Sequence, residues 1–187
     1  MKIYEKNNIP FQLKNEANLN PTFQRLKEEY KLCTEDIDLA SIGCCFFLEN
    51  NQINRWRIIM FGPKNTPYEG GLFKLRATFP DNYPINGPEI IFINRIYHVN
   101  VCFDDSLGPL FLGHICVANL NSWRISGKVK DYPYYTMKQA LFDIFCLFYV
   151  HDVEGAFRDK KENLYINNRD QYEANARKWT ELYASIL

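Results

Sequence analysis

The chain has 187 residues, of which 47% are hydrophobic and 16% aromatic, so it can bury a sizeable core and favours one domain over two. Basic and acidic residues balance at 22 each, which excludes a general attraction to nucleic acid or to an anionic membrane. The six cysteines contain no Cys-x-x-Cys pair, and the first residues contain no apolar signal core. We therefore expect a protein with reduced thiols in the cytoplasm or the nucleus, with no nucleic-acid partner and no membrane partner.

The first half of the chain predicts one helix followed by four strands. Residues 1–19 are rich in asparagine and weakly patterned, which indicates an N-terminal arm before a domain that spans 20–187. Asn20 and Pro21 are typical of a helix start, and apolar residues then recur at helical spacing, so a helix is predicted over 21–32. Four β-rich runs follow, and turn-forming sequences separate them. These runs cover 42–49, 53–61, 71–79 and 89–93. Their short connections favour an antiparallel meander.

The second half predicts a long irregular segment and then more helices. Residues 94–135 show no regular pattern, yet they are too rich in large apolar side chains to be a disordered linker. A stretch of this kind inside a domain predicts a folded functional loop. Helical spacing returns over 136–150, 157–166 and 169–186. A helix, four strands, a loop and further helices in this order are typical of an α+β fold.

Cys116 lies in the sequence "GHICVANLNSW" and has two interpretations, a small buried hydrophobe or a thiol presented for chemistry. Cys102 is open between a loop thiol near Cys116 and a packing role, with packing favoured. We assign the core role to the other four cysteines: Cys33, Cys44, Cys45 and Cys146. A zinc site is conceivable from His98, Cys102, His114 and Cys116, although their spacing fits no common zinc pattern.

Several motifs occur in a fixed order along the chain: "GPKNTPYEGGLFKLRATFPDNYP", "RIYHVN", "GHICV", "SW" and "NLYINNRDQYEANARKWTELYA". Together they resemble the successive signatures of the ubiquitin-conjugating enzyme family, over residues 21–187. The resemblance implies an N-terminal helix, a four-stranded antiparallel meander sheet, an active-site loop and C-terminal helices. Cys116 matches the family's thioester-forming cysteine. Asn100 matches the asparagine of its His-Pro-Asn motif, in which Val99 replaces the proline.

The resemblance also implies a reaction without a cofactor or a metal. Cys116 would accept ubiquitin from the activating enzyme as a thioester and pass it to a substrate lysine, usually with a ubiquitin ligase. Asn100 would stabilise the oxyanion that forms during lysine attack, and His98 would brace the turn around it. The family often supplies a carboxylate near the position of Asn168, which is an amide here. Lysine activation would then depend on desolvation near Tyr97 or on a partner.

Partner surfaces are also implied by the resemblance. The basic face of the first helix, with Arg25, Lys27 and Lys31, would meet the activating enzyme. The candidate ligase surface consists of Ile85, Trp123 and Ile125, although a core or loop-anchor role is favoured for Trp123 over a partner contact. Two insertions relative to the family, residues 102–112 and 124–135, flank the active site. Two alternative functions stay open: conjugation of a ubiquitin-like modifier, or a catalytically idle ubiquitin-binding scaffold.

Overall fold

The computed structural model describes residues 20–103, 108–128, 135–153, 157 and 160–185. The predicted arm at residues 1–19 and parts of both insertions lie outside these residues. Within these residues, six α-helices and four strands follow one another: α1 Pro21–Glu35, α2 Ile37–Ser41, β1 Cys45–Glu49, β2 Gln52–Phe61, β3 Leu72–Thr78, β4 Glu89–Phe92, α3 Ala118–Ser126, α4 Met137–Cys146, α5 Lys160–Asn167 and α6 Arg169–Tyr183. A 3₁₀ helix, Pro109–Phe111, precedes α3.

Helix α1 begins where the sequence predicts and ends later. The Asn20 side chain accepts a hydrogen bond from Thr22 N at 2.9 Å, and Pro21 occupies the first helical turn. The helix runs three residues past the predicted end at 32, because Cys33 still packs into the core. Asp36 then caps the short helix α2, which the sequence patterns did not predict.

The predicted antiparallel meander is confirmed. The strands pair in the order β1-β2-β3-β4, and every neighbouring pair is antiparallel. Alternate residues of β2, among them Trp56 and Ile58, are fully buried against the helices. Cys44 is buried, but the next residue, Cys45, faces outward on β1, so the core prediction for Cys45 is wrong. The period of two in a strand explains why only one of two adjacent cysteines can enter the core.

The segment 94–135 is more regular than predicted, since it contains the 3₁₀ helix and α3. The pattern of α3 is weak because only Leu120 and Trp123 are buried in it, and no side chain caps its start. Helix α4 ends at Cys146 instead of residue 150, and Cys146 is exposed there, so its predicted core role is also wrong. Within the described residues, no helix is both long and apolar enough to cross a membrane.

Candidate active site

Cys116 is held next to Asn100 by a short antiparallel ladder. Val101 pairs with Ile115, and Cys116 N donates to Asn100 O at 2.8 Å. The ladder turns at Gly113, which has a φ of 81°. A Cβ atom at Gly113 would lie 2.0 Å from Phe92 O, so this tight approach requires glycine. The ladder thus brings together two residues that are sixteen positions apart in the sequence.

The Cys116 thiol is partly buried and has an acidic neighbour. Burial raises the pKa of this thiol, and the negative charge of Asp152 raises it further. The Asn121 amide of α3 donates to Cys116 Sγ over 4.0 Å, at the long limit for a hydrogen bond to sulfur. Cys116 is therefore a protonated thiol at neutral pH that still has a face open to solvent.

Asn100 is fully buried and braces both sides of the site. Its amide group donates to Asp152 O at 2.7 Å and to Cys116 O at 3.2 Å, and its side-chain oxygen accepts from Asp152 N at 3.1 Å. Both amide protons are thus bound to protein carbonyls in this structure. Asn100 fixes the Cys116 and Asp152 backbones relative to each other, while its role at an oxyanion stays a prediction.

Asp152 is the acidic residue that the sequence analysis did not identify. It lies in the "HDVEGAF" segment between α4 and α5, and its charge acts on the Cys116 thiol. Asn168, by contrast, uses its side chain to accept from Gln171 N at 3.2 Å, which caps α6. No spacing rule links Asp152 to Cys116 in sequence. The fold brings them together through the side chain of Asn100.

His98 is buried and uses both ring nitrogens for structure. Nδ1 accepts from Asn100 N at 2.9 Å, and Nε2 donates to Leu147 O at 2.9 Å. Desolvation lowers the pKa of His98 to about 4, so the ring is neutral at physiological pH. The ring therefore braces the Asn100 turn, and neither nitrogen is left for a proton transfer or for the conceivable zinc site. Cys102, another member of that set, is 1% exposed and occupies a packing position.

Tyr97 lies on the side of the active-site loop that faces α6. Its carbonyl accepts from Tyr68 Oη at 3.0 Å, and its ring packs on Tyr172 and Trp179 with centroids 5.3 and 5.4 Å away. These contacts fix the ring against α6. The proposed desolvation of a lysine near Tyr97 stays a prediction.

The three basic residues of α1 do not share one face. Arg25 forms an ion pair with the buried Glu29 at 2.7 Å, and Glu29 in turn accepts from Met137 N at the start of α4. Lys27 and Lys31 are one helical turn apart and lie on the other flank of the helix, since residues advance by 100°. The Lys27 ammonium lies 5.4 Å from the Phe23 ring centre, and Lys31 is exposed. Arg25 therefore links α1 to α4.

The candidate ligase surface divides into two exposed residues and one buried anchor. Ile85 and Ile125 are 68% and 69% exposed, whereas Trp123 is 3% exposed. The Trp123 indole donates to Pro84 O at 3.1 Å and packs between Tyr83 and Tyr135. Assigning Trp123 to direct partner contact is therefore incorrect, because its ring is in the core. Trp123 instead holds the loop that carries Ile85 against helix α3, which carries Ile125.

Comparison with known proteins agrees with this geometry. The family model described as "Ubiquitin-conjugating enzyme" matches residues 25–180. A probable ubiquitin-conjugating enzyme E2 31 of Arabidopsis thaliana is 32% identical over 162 residues, covering 87% of this chain and 93% of the plant protein. Ubiquitin-conjugating enzyme E2 N of Drosophila melanogaster is 30% identical over 85% of this chain and 93% of its own length. Ubiquitin-conjugating enzyme E2 S of Nematostella vectensis is 30% identical over 77% of this chain and 63% of its own length. The chain belongs to the ubiquitin-conjugating enzyme family.

Proposed function

We propose that this protein carries ubiquitin as a thioester on Cys116 and transfers it to a substrate lysine, usually with a ligase. The observation that supports this most directly is the partly exposed Cys116 thiol next to Asp152, held in place by the buried Asn100. Family membership supplies the general reaction class, and these contacts support its assignment to Cys116, with Asn100 and Asp152 beside it.

The first step is an exchange of thioesters. The Cys116 thiolate attacks the carbonyl carbon of the modifier's C-terminal glycine, which arrives as a thioester of the activating enzyme. A new C–S bond forms at Cys116, the old C–S bond breaks, and the departing thiolate takes up a proton. The raised pKa of Cys116 means that only a small fraction is thiolate at neutral pH, so charging needs a thioester donor that is held in position.

The second step is attack by a lysine amine on the Cys116 thioester. A C–N bond forms, the C–S bond breaks, and the Cys116 thiolate leaves. The attacking amine must be neutral, so the incoming lysine ammonium loses one proton before attack. The nitrogen loses a second proton after the C–N bond forms, and the departing Cys116 thiolate takes that proton up. We assign Asp152 to orient the incoming ammonium and to receive its first proton directly or through water, because the negative charge of Asp152 acts on the Cys116 thiol.

The modifier and the place of the reaction are part of the same proposal. The activating enzyme reads the modifier largely by itself, so a ubiquitin-like modifier would use the same Cys116 chemistry. Incubation with a panel of activating enzymes, each loaded with a different modifier, identifies the cognate one. We place the reaction in the cytoplasm or nucleus, where the six free cysteines stay reduced.

The direct test compares wild type with Cys116→Ser, Cys116→Ala and the matched control Cys102→Ala. After incubation with activating enzyme, ATP and ubiquitin, a non-reducing gel of wild type should show an adduct that thiol reagents cleave. Cys116→Ser should replace it with a thiol-resistant ester, and Cys116→Ala should show none. Cys102→Ala should still charge, because Cys102 is buried.

Two results would contradict the assignment. Charging of Cys116→Ala would place the thioester elsewhere. A folded wild-type protein that charges with none of the modifiers would instead establish the idle scaffold.

A further inference from the structure

Residue 99 has a backbone N–H at the centre of the active-site turn, and this group needs a buried acceptor. Val99 is fully buried and lies between His98 and Asn100. Its N–H donates to the Tyr172 hydroxyl oxygen, with a nitrogen–oxygen distance of 3.2 Å. Tyr172 is itself fully buried and comes from α6, 73 positions further along the chain. An unpaired N–H at this depth would cost stability, because a fully buried group cannot turn to bulk solvent for an acceptor.

The Tyr172 hydroxyl also contacts two other parts of the structure through the same oxygen atom. It lies 3.0 Å from His151 Nε2 and 3.4 Å from the Tyr68 hydroxyl. The His151 ring stacks on His98 with centroids 4.2 Å apart. The hydroxyl thus meets the active-site turn, the loop before α5 and the loop before β3.

A displacement of Val99 would pass directly to the reacting groups. The next residue, Asn100, donates its backbone N–H to His98 and holds Cys116 and Asp152 through its side chain. Val99 and Asn100 share a peptide bond, so a shift of one moves the other. The position of Cys116 relative to Asp152 therefore depends on whether Val99 keeps its hydrogen bond.

We propose that Tyr172 is a positioning residue for the Cys116 reaction, and that it acts by accepting the Val99 N–H. The Tyr172 hydroxyl is needed as an acceptor because residue 99 has a backbone N–H. A proline at position 99 has no N–H and a fixed φ, so it needs no acceptor. The inference rests on the proposed function for its catalytic consequence, although the hydrogen bond itself can be tested separately.

The test is a double-mutant cycle of Tyr172→Phe and Val99→Pro. Each protein is charged on Cys116, and discharge onto free lysine is then timed. Tyr172→Phe should slow discharge by roughly tenfold, less than the roughly hundredfold expected for a 1 Å displacement of reacting groups. Adding Val99→Pro to Tyr172→Phe should restore most of the lost rate. A loss of α6 packing alone would not be repaired by a change at residue 99.

Tyr68→Phe is the matched control. It removes a second buried hydroxyl from the same cluster, one that donates to Tyr97 O instead of accepting from Val99. If Tyr68→Phe slows discharge onto lysine, adding Val99→Pro should not restore the rate. Two results would overturn the proposal. In the first, Tyr172→Phe discharges as slowly with Val99→Pro as without it. In the second, Val99→Pro restores the rate of Tyr68→Phe as fully as that of Tyr172→Phe.

Hydrogen exchange of the Val99 amide separates this inference from the proposed function and does not need Val99→Pro to fold. In Tyr172→Phe the amide should exchange roughly 5-fold to 100-fold faster than in wild type, as expected for loss of a buried acceptor. Tyr68→Phe should leave it protected. If wild type never forms a thioester, the proposed function fails while this measurement still decides the hydrogen bond. Unchanged Val99 exchange in Tyr172→Phe would overturn the inference in either case.

Discussion

Asp152 has opposite effects on the two half-reactions proposed for Cys116. Its negative charge raises the pKa of the thiol, which lowers the thiolate fraction available for charging. In the proposed discharge step, the same charge would attract a lysine ammonium. Because the hydrogen bonds between Asn100 and Asp152 use the backbone N–H and C=O of Asp152, the Asp152→Asn substitution leaves those groups in place. Asp152 is therefore a residue at which reactivity and architecture can be separated by mutation.

The first prediction at the residue scale concerns Asp152→Asn. The pKa of Cys116 should fall, so the pH at which Cys116 is half-reactive toward iodoacetamide should move down, while discharge onto free lysine should slow. Asp170→Asn, an equal charge change on the exposed first turn of α6, is the control and should alter neither quantity. If the pH dependence of Cys116 alkylation is the same in Asp152→Asn as in wild type, the charge of Asp152 does not act on the sulfur.

At the scale of secondary-structure elements, the sequence predicted most of the helices and strands that have a strong hydrophobic periodicity. The Asn20–Pro21 start of α1 and the four strands follow from local signals that the tertiary structure reinforces. Helix α3 escaped prediction because its buried face consists of Leu120 and Trp123 alone. Asp152 escaped because its approach to Cys116 depends on a side-chain bridge from Asn100, and no sequence period encodes such a contact.

Helix α3 carries one wall of the candidate ligase surface and depends on Trp123 for its place. Gly87 N donates to Trp123 O at 3.1 Å, and Asn86 donates to Arg124 O at 2.9 Å. A Cβ atom at Gly87 would lie 2.4 Å from the Trp123 ring, so the loop contacts the indole closely. The loop before β4 and the end of α3 therefore form one unit, on which Ile85 and Ile125 are exposed.

The prediction at this scale contrasts Trp123→Ala with Ile125→Ala. Removal of the buried indole should lower the free energy of unfolding by about 3–5 kcal/mol. Ile125→Ala should change it by less than about 0.5 kcal/mol, because the side chain is exposed. Urea denaturation measures both. In a reconstituted assay, Ile125→Ala should charge normally and discharge more slowly when a cognate ligase is present. If the ligase stimulates discharge of Ile125→Ala as much as that of wild type, Ile125 is not part of the partner surface.

For the whole molecule, two stacked and buried histidines connect the active-site turn to the C-terminal helices. His98 bonds to Leu147 O after α4, and His151 contacts Tyr172 of α6 and stacks on Tyr165 of α5. Desolvation holds the pKa of both rings low, to about 4 for His98 and about 2 for His151. The positive charges of Lys161 and Arg169 further disfavour protonation of His98. The fold thus requires both rings to stay neutral.

This requirement fixes the sign of the acid dependence of stability. Unfolded histidine takes up a proton near pH 6.5, whereas folded His98 does so only near pH 4. Between these values the unfolded state binds more protons, so its free energy falls relative to the folded state as the pH falls. The contribution of His98 is present above pH 6.5 and is lost progressively down to pH 4. Asp36 and Glu49 have lowered pKa values, so their ion pairs contribute to acid lability only at lower pH.

The last prediction is that the urea midpoint of the wild type falls between pH 6.5 and pH 4.5, before the carboxylates protonate. Protonation of His98 on unfolding accounts for up to roughly 2.5 kcal/mol of lost stability by pH 4.5. His98→Asn keeps a side-chain acceptor for the Asn100 N–H but cannot become charged. It should be less stable than wild type at pH 7.5 and lose less stability on acidification. His114→Gln, at a partly exposed histidine outside the stack, should follow the wild-type decline. Parallel curves for wild type and His98→Asn would show that the buried ring does not control the acid response.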